Sequence, residues 1–125
     1  MGQSKSPAEQ LTDFLNFIDS CIQEYRLAYG AVNDEDKRLQ DLIHEMEFAA
    51  DKAERNRVAT KLQRSRRTRR DNKDIVICNK LIVEFFEESA NKKVLNQMRQ
   101  LLGRQRREEE FLQSERTYKP RMKGE

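Results

Sequence analysis

Tryptophan is absent from this chain, and proline and glycine are scarce, at two and four residues. That shortage removes the turn chemistry a β-sandwich or barrel would need and favours long helices. No apolar run approaches the length that spans a bilayer, and the first thirty residues hold no secretory h-region. The two cysteines, Cys21 and Cys78, both fall within apolar stripes, so the expectation is a pair of small buried hydrophobes with no disulfide or metal framework. A single histidine, His44, leaves little material for a zinc or di-iron site. Its neighbourhood has no second His four residues on, where Phe48 stands, and a di-iron bundle would need the carboxylate-x-x-His spacing of Asp41 and His44 twice. No Gly-rich phosphate loop is present. A triad would have to recruit His44 from mid-helix. The expectation is a protein that is not an enzyme and needs no cofactor or metal.

What the chain does hold is charge. Charged residues make up 38% and apolar ones 36% of 125 positions, and the mean hydropathy is −1.00. Any core is thin, and the length suits a single helical domain over residues 1–125 with loose ends at 1–5 and 117–125. Regular apolar spacing argues against disorder for most of it. The net charge of +3 conceals a strong asymmetry. Residues 55–73 carry nine basic side chains (Arg55, Arg57, Lys61, Arg64, Arg66, Arg67, Arg69, Arg70, Lys73) against one acid, Asp71, a net of +8 that leaves −5 for the remainder.

Read in order, Ser6-Pro7-Ala8-Glu9 is a helix start, with Ser6 as N-cap, Pro7 at the first helical position and Glu9 closing a capping box. Leu11, Phe14, Leu15, Ile18, Cys21, Ile22, Tyr25 and Ala28 then share one face, and Gly30 predicts its end. Asn33-Asp34-Glu35-Asp36 predicts the cap of a second helix over residues 33–70, about 55 Å long at roughly 1.5 Å per residue. Its first half keeps helical spacing through Leu39, Leu42, Ile43, Met46, Ala49, Ala50 and Ala53, and its second half is the basic run. Glu47, Asp51 and Glu54 would share a face of that helix, solvated and pairing with Lys52 and Arg55. Asp71-Asn72-Lys73-Asp74 predicts punctuation. Residues 75–86 are apolar nearly all round and predict a buried helix, the β-branched start notwithstanding, since no partner strand is visible. Ser89-Ala90-Asn91 predicts a turn with Asn91 as cap, and a last helix follows through Val94, Leu95, Met98, Leu101 and Leu102, softened at Gly103. Thr117-Tyr118-Lys119-Pro120-Arg121 predicts an extended tail. The predicted fold is all-α, an elongated antiparallel helical hairpin of coiled-coil character, with a long central helix and two shorter C-terminal helices.

The basic run is poorly explained as an ordinary solvated face. Exposed helices intersperse signs so that residues four apart pair; here like charges crowd successive turns. Arginine outnumbers lysine, which suits phosphate, and Ser65 and Thr68 between the arginines could donate to it as well. Aromatics are missing from the run, which argues against base stacking on single strands. The expected partner is a nucleic-acid backbone, DNA or RNA, contacted by the nine basic residues. The alternatives are an acidic protein surface, a host protein complex, or a second copy of the chain through residues 75–86. The N-terminal Met1-Gly2-Gln3-Ser4-Lys5-Ser6 fits an N-myristoylation pattern, but Ser6 already serves as N-cap.

Three stretches together (Val32-Asn33-Asp34-Glu35-Asp36-Lys37-Arg38-Leu39-Gln40-Asp41-Leu42, Arg64-Ser65-Arg66-Arg67 running into Asp71-Asn72-Lys73-Asp74, and Glu115-Arg116-Thr117-Tyr118-Lys119-Pro120-Arg121) resemble small helical proteins encoded by phages and prophages of Gram-positive bacteria. The resemblance implies a mobile-element origin and a cytoplasmic place in a bacterial host, while the lack of a long apolar run predicts no membrane partner. It lowers the weight of the myristoylation pattern, and it supplies no catalytic residues. Two functions fit: an accessory protein that holds nucleic-acid backbone, or an inhibitor that docks on a host defence or replication complex.

Overall fold

The computed structural model describes residues 4–115, and among them every regular element is a helix. Three are present: α1 Pro7–Glu47, α2 Lys52–Glu87 and α3 Ser89–Gln113. At roughly 1.5 Å per residue, α1 and α2 are about 60 Å and about 55 Å long. The expected tail at 117–121 and the Gly2 end of the myristoylation pattern lie outside the described residues. Lys5, expected in a loose end, pairs with Asp13 at 2.5 Å.

The start of α1 follows its sequence signal at Ser6 and Pro7, but among the described residues the Glu9 carboxylate does not reach back to close the expected capping box. The Ser6 hydroxyl oxygen accepts from the Glu9 backbone N–H at 3.2 Å, with Pro7 opening the helix. Beyond that, the helix boundaries differ from the expected ones. Gly30 does not end α1, and Asn33-Asp34-Glu35-Asp36 caps nothing, because the helix runs straight through both. The reason is a continuous buried stripe. Cys21, Tyr25, Ala28, Val32, Glu35, Leu39, Leu42 and Met46 are buried or half-buried at alternating steps of four and three. A continuous seam, apolar but for the paired Glu35, outweighs the loss from one helical glycine, about 1 kcal/mol.

The turn falls instead at residues 48–51, in the middle of the helix expected over 33–70. Asp51 is the N-cap of α2: its Oδ1 accepts from the Glu54 backbone N–H at 2.9 Å. Glu54 reaches back to accept from the Ala50 N–H at 2.8 Å. Two orphan donors are thereby satisfied without glycine or proline. Glu47, Asp51 and Glu54 consequently do not share a face, and none of them forms an ion pair with Lys52 or Arg55 among the described residues.

From there α2 is uninterrupted. Asp71-Asn72-Lys73-Asp74 lies inside it, and residues 75–86 are its final turns, not a separate helix. Its seam is Val58, Leu62, Ser65, Arg69, Asn72, Val76, Asn79, Val83 and Phe86, again spaced four and three. Cys78 falls beside this stripe and is exposed, contrary to expectation, whereas Cys21 is buried as expected. Burial, then Glu24 and Cys78, raise the Cys21 thiol above its ordinary pKa. The chain breaks at Glu88, whose backbone is extended, and α3 begins at the next residue. Asn91, expected as a cap, sits inside α3 and donates its side-chain amide to the Phe85 carbonyl at 2.9 Å, satisfying an end group of α2. Gly103 leaves α3 unbroken.

Contacts between helices run in opposite order along α1 and its partners. Glu45 meets Lys61 and Asp36 meets Arg69; Asp19 meets Arg99, Thr12 meets Arg106, and the Ala8 N–H donates to Glu109. The apolar core gathers where all three helices meet: Ala8, Leu15, Ile18, Leu95 and Leu102, with Leu11, Ile22, Ile82, Phe86 and Met98 packed against them. The stretch of α1 and α2 that carries the basic run has only a two-helix seam, held by Leu42 and Val58 at one end and polar in its middle.

That polar middle is fully paired. Glu35 is buried at 5% exposure; one carboxylate oxygen accepts from Ser65 Oγ at 2.5 Å and the other from Arg38 Nη1 at 2.5 Å. Asn72 and Asn79 donate their amides back to the carbonyls of Thr68 and Ile75. Among the described residues no buried side-chain polar atom lacks a partner, as a low-dielectric seam demands.

Candidate functional site

The helical period divides the nine basic residues of the 55–73 run among the faces of α2. Arg69 occupies a seam position, half-buried, with Nε 2.6 Å from Asp36 Oδ1. It is spoken for by structure. Lys61 is exposed and lies 3.6 Å from Glu45, a separation at which a solvated pair contributes little, ~0–1 kcal/mol. Arg55, Arg57, Arg64, Arg66, Arg67, Arg70 and Lys73 are all exposed, and none has an ion-pair partner among the described residues.

Two shallow surface concavities gather most of them. On one flank of α2, Arg66, Arg67 and Arg70 surround Ala59, Leu62 and Gln63. On the other, Lys61, Arg64, Ser65 and Thr68 of α2 close against Arg38 and Leu42 of α1. A third hollow at the turn brings Arg57 and Lys61 beside Glu45 and Glu54, where opposite charges offset one another. Arg55 and Lys73 line none of these three. The run is therefore not a single patch. It is a two-sided array along one helix, with Arg67 opposite the seam.

Arg38, paired with Glu35, lines the basic flank and is missed by window-by-window reading of the sequence. It lies in an acidic stretch and reaches the arginines only because α1 and α2 pair. The same pairing tempers the charge. Residues 33–48 hold six acids against two Lys or Arg, a net of −4, so they offset half of the +8 on residues 55–73.

His44 Nδ1 is 3.3 Å from Glu47 and its ring lies against Phe48. Among the described residues no three His, Cys, Asp or Glu side chains gather in a way that could hold a metal ion, and no helix is long and apolar enough to cross a membrane. Set against known protein families, curated proteins and solved structures, the chain matches none of them.

Proposed function

We propose that this protein is a nucleic-acid-associated accessory protein of a phage or other mobile element, working in the bacterial cytoplasm by binding and not by catalysis. Its architecture in this reading is an elongated antiparallel hairpin of α1 and α2, with α3 bracing one end and the basic arm projecting from it. The observation that carries the reading is that Arg64, Arg66, Arg67 and Arg70 are exposed and lack a carboxylate partner among the described residues. Guanidinium groups on successive turns repel one another and are stabilised by phosphate, which accepts from their planar fork in pairs. The test is duplex DNA and RNA binding across a salt series. Binding should weaken steeply with salt, by roughly 0.9 in the log–log slope per phosphate neutralised. Replacing Arg64, Arg66 and Arg70 by alanine should flatten that slope by about three. A salt-insensitive affinity, or none at low salt, would reject the proposal.

A second reading rests on a different observation. Ile77, Leu81 and Phe85 stand exposed at successive turns just beyond the arginines on the same helix, Leu81 at 80%. An inhibitor docking on a host protein complex would use such a stripe together with the basic arm against an acidic surface. Pull-down from bacterial lysate with and without nuclease separates the two: a partner protein retained after nuclease, and lost on Leu81→Lys, favours docking. Sedimentation at several concentrations tests whether that partner is a second copy of the chain.

A further inference from the structure

We infer that the outward line of α2 reads base edges in the major groove of duplex DNA, with Asn56, Gln63 and Arg67 as the reading residues. The inference rests on the nucleic-acid reading above and makes it specific. These three residues are spaced seven and four apart, which places them in one line on an α-helix. That line is the one farthest from the seam of Val58, Leu62, Ser65 and Arg69. All three are exposed, and their side chains make no hydrogen bond to any described residue. Thr60 shares the line, but its hydroxyl is committed to the Asn56 carbonyl at 3.0 Å. Asn and Gln amides match adenine N6 and N7, and the arginine fork matches guanine O6 and N7. Residues 56–67 span about 16 Å of helix, roughly five base steps at ~3.4 Å each.

The flanks supply the second half of the argument. Cations lie on both sides of the reading line, Arg66 and Arg70 on one, Lys61 and Arg64 with Thr68 on the other, where Arg38 is already paired with Glu35. A protein lying along a single phosphate strand needs cations on one side only. A helix seated in a groove has a phosphate wall on each side, and the B-form major groove, ~12 Å wide, admits a helix of ~10–12 Å. The A-form major groove of RNA is too narrow for side chains to read, and no aromatic residue lies on residues 55–73 to stack unpaired bases. Acidic residues close the window at both ends. Asp51 and Glu54 are bound into the turn before Arg55, and Asp71 and Asp74 follow Arg70, where they would repel phosphate.

The experiment is selection of the full chain on a random-sequence duplex DNA library, followed by affinity measurement on the enriched site and on unrelated duplex. An enriched motif of about five base pairs is expected. Gln63→Ala and Asn56→Ala should each lower affinity for the enriched site on the order of tenfold, shift the preference at one base step, and leave unrelated duplex within twofold. Arg66→Ala should instead weaken all sequences alike. Duplex binding with no enriched motif, a motif untouched by both substitutions, or tighter binding to duplex RNA overturns the inference while leaving backbone binding standing. Absence of binding to any nucleic acid at low salt overturns both.

Discussion

Removing the Ser65 hydroxyl isolates a buried carboxylate, and the cost follows from the geometry. Ser65 is 3% exposed and donates to Glu35 at 2.5 Å across the seam. A hydrogen bond to a charged group contributes ~1.5–3 kcal/mol, and a buried acceptor deprived of its donor keeps its desolvation penalty. The second donor, Arg38, has a side chain 61% exposed and is screened by water, so it compensates only in part. Alanine is the better helix former by roughly 0.5 kcal/mol. Ser65→Ala should therefore cost about 1–2 kcal/mol net. For a chain of this length the unfolding entropy is about 260 cal/mol/K, at ~2.1 cal/mol/K per residue, so each 1 kcal/mol moves Tm by about 4 °C. The expected drop is ~4–8 °C, read by far-UV circular dichroism on heating and by urea titration. Adding Glu35→Leu to Ser65→Ala should restore stability to within ~1 kcal/mol of the parent or above it, since an apolar pair of similar volume replaces a buried ion at little loss. A neutral Ser65→Ala, or a double variant less stable than the single one, would refute the reasoning.

Gly30→Ala should stabilise by ~0.5–1 kcal/mol, because Gly30 is inside α1 and an added Cβ meets nothing within 4 Å; a loss on thermal melting would mean that α1 ends there. Leu95→Ala, at 3% exposure in the three-helix core, should cost ~2–5 kcal/mol, and a cost under ~1 kcal/mol by urea titration would show that α3 is not docked on α1. Glu109 carries a pH signature: a hydrogen bond from Ser6, then one from Gln105, with a smaller one from the Ala8 N–H, hold its carboxyl below the ordinary value against a weaker opposing effect of burial. A lowered folded pKa contributes stability that is complete above the ordinary glutamate value, about 4.3, and fades as pH falls through the lowered one. The urea midpoints of the parent and of Glu109→Gln should thus differ at pH 7 and converge as the pH falls through the lowered value; a gap that stays constant with pH would assign the effect to something other than that charge.

Much of the site is legible in order of residues alone, because the density of charge in 55–73 is a local property. The all-helical class and the Ser6-Pro7 start are local too. The breaks were not legible. Asn33-Asp34-Glu35-Asp36 has the composition of a helix cap, yet the side chain of Glu35 is buried against Ser65, thirty residues away. Asp51-Lys52-Ala53-Glu54 has the weaker-looking signal and makes the break, since a break there brings the two seams of period 3.5 on α1 and α2 into contact. Local propensity differs between such candidates by about 1 kcal/mol, and the burial of a whole seam decides between them.

By itself, then, the order of residues determined that the chain is helical, thinly cored and strongly polarised in charge, because propensity, hydropathy and charge are carried by each residue wherever it lies. Only the tertiary structure decided which arginines are spent and which remain. Pairing α1 with α2 sends Arg69 into the seam against Asp36 and sets Lys61 near Glu45, and it carries Arg38 across to the basic flank. It leaves Arg64, Arg66, Arg67 and Arg70 facing solvent. The physical reason is that neutralisation depends on distance through space, and two residues thirty positions apart become neighbours only when the helices that carry them are packed together.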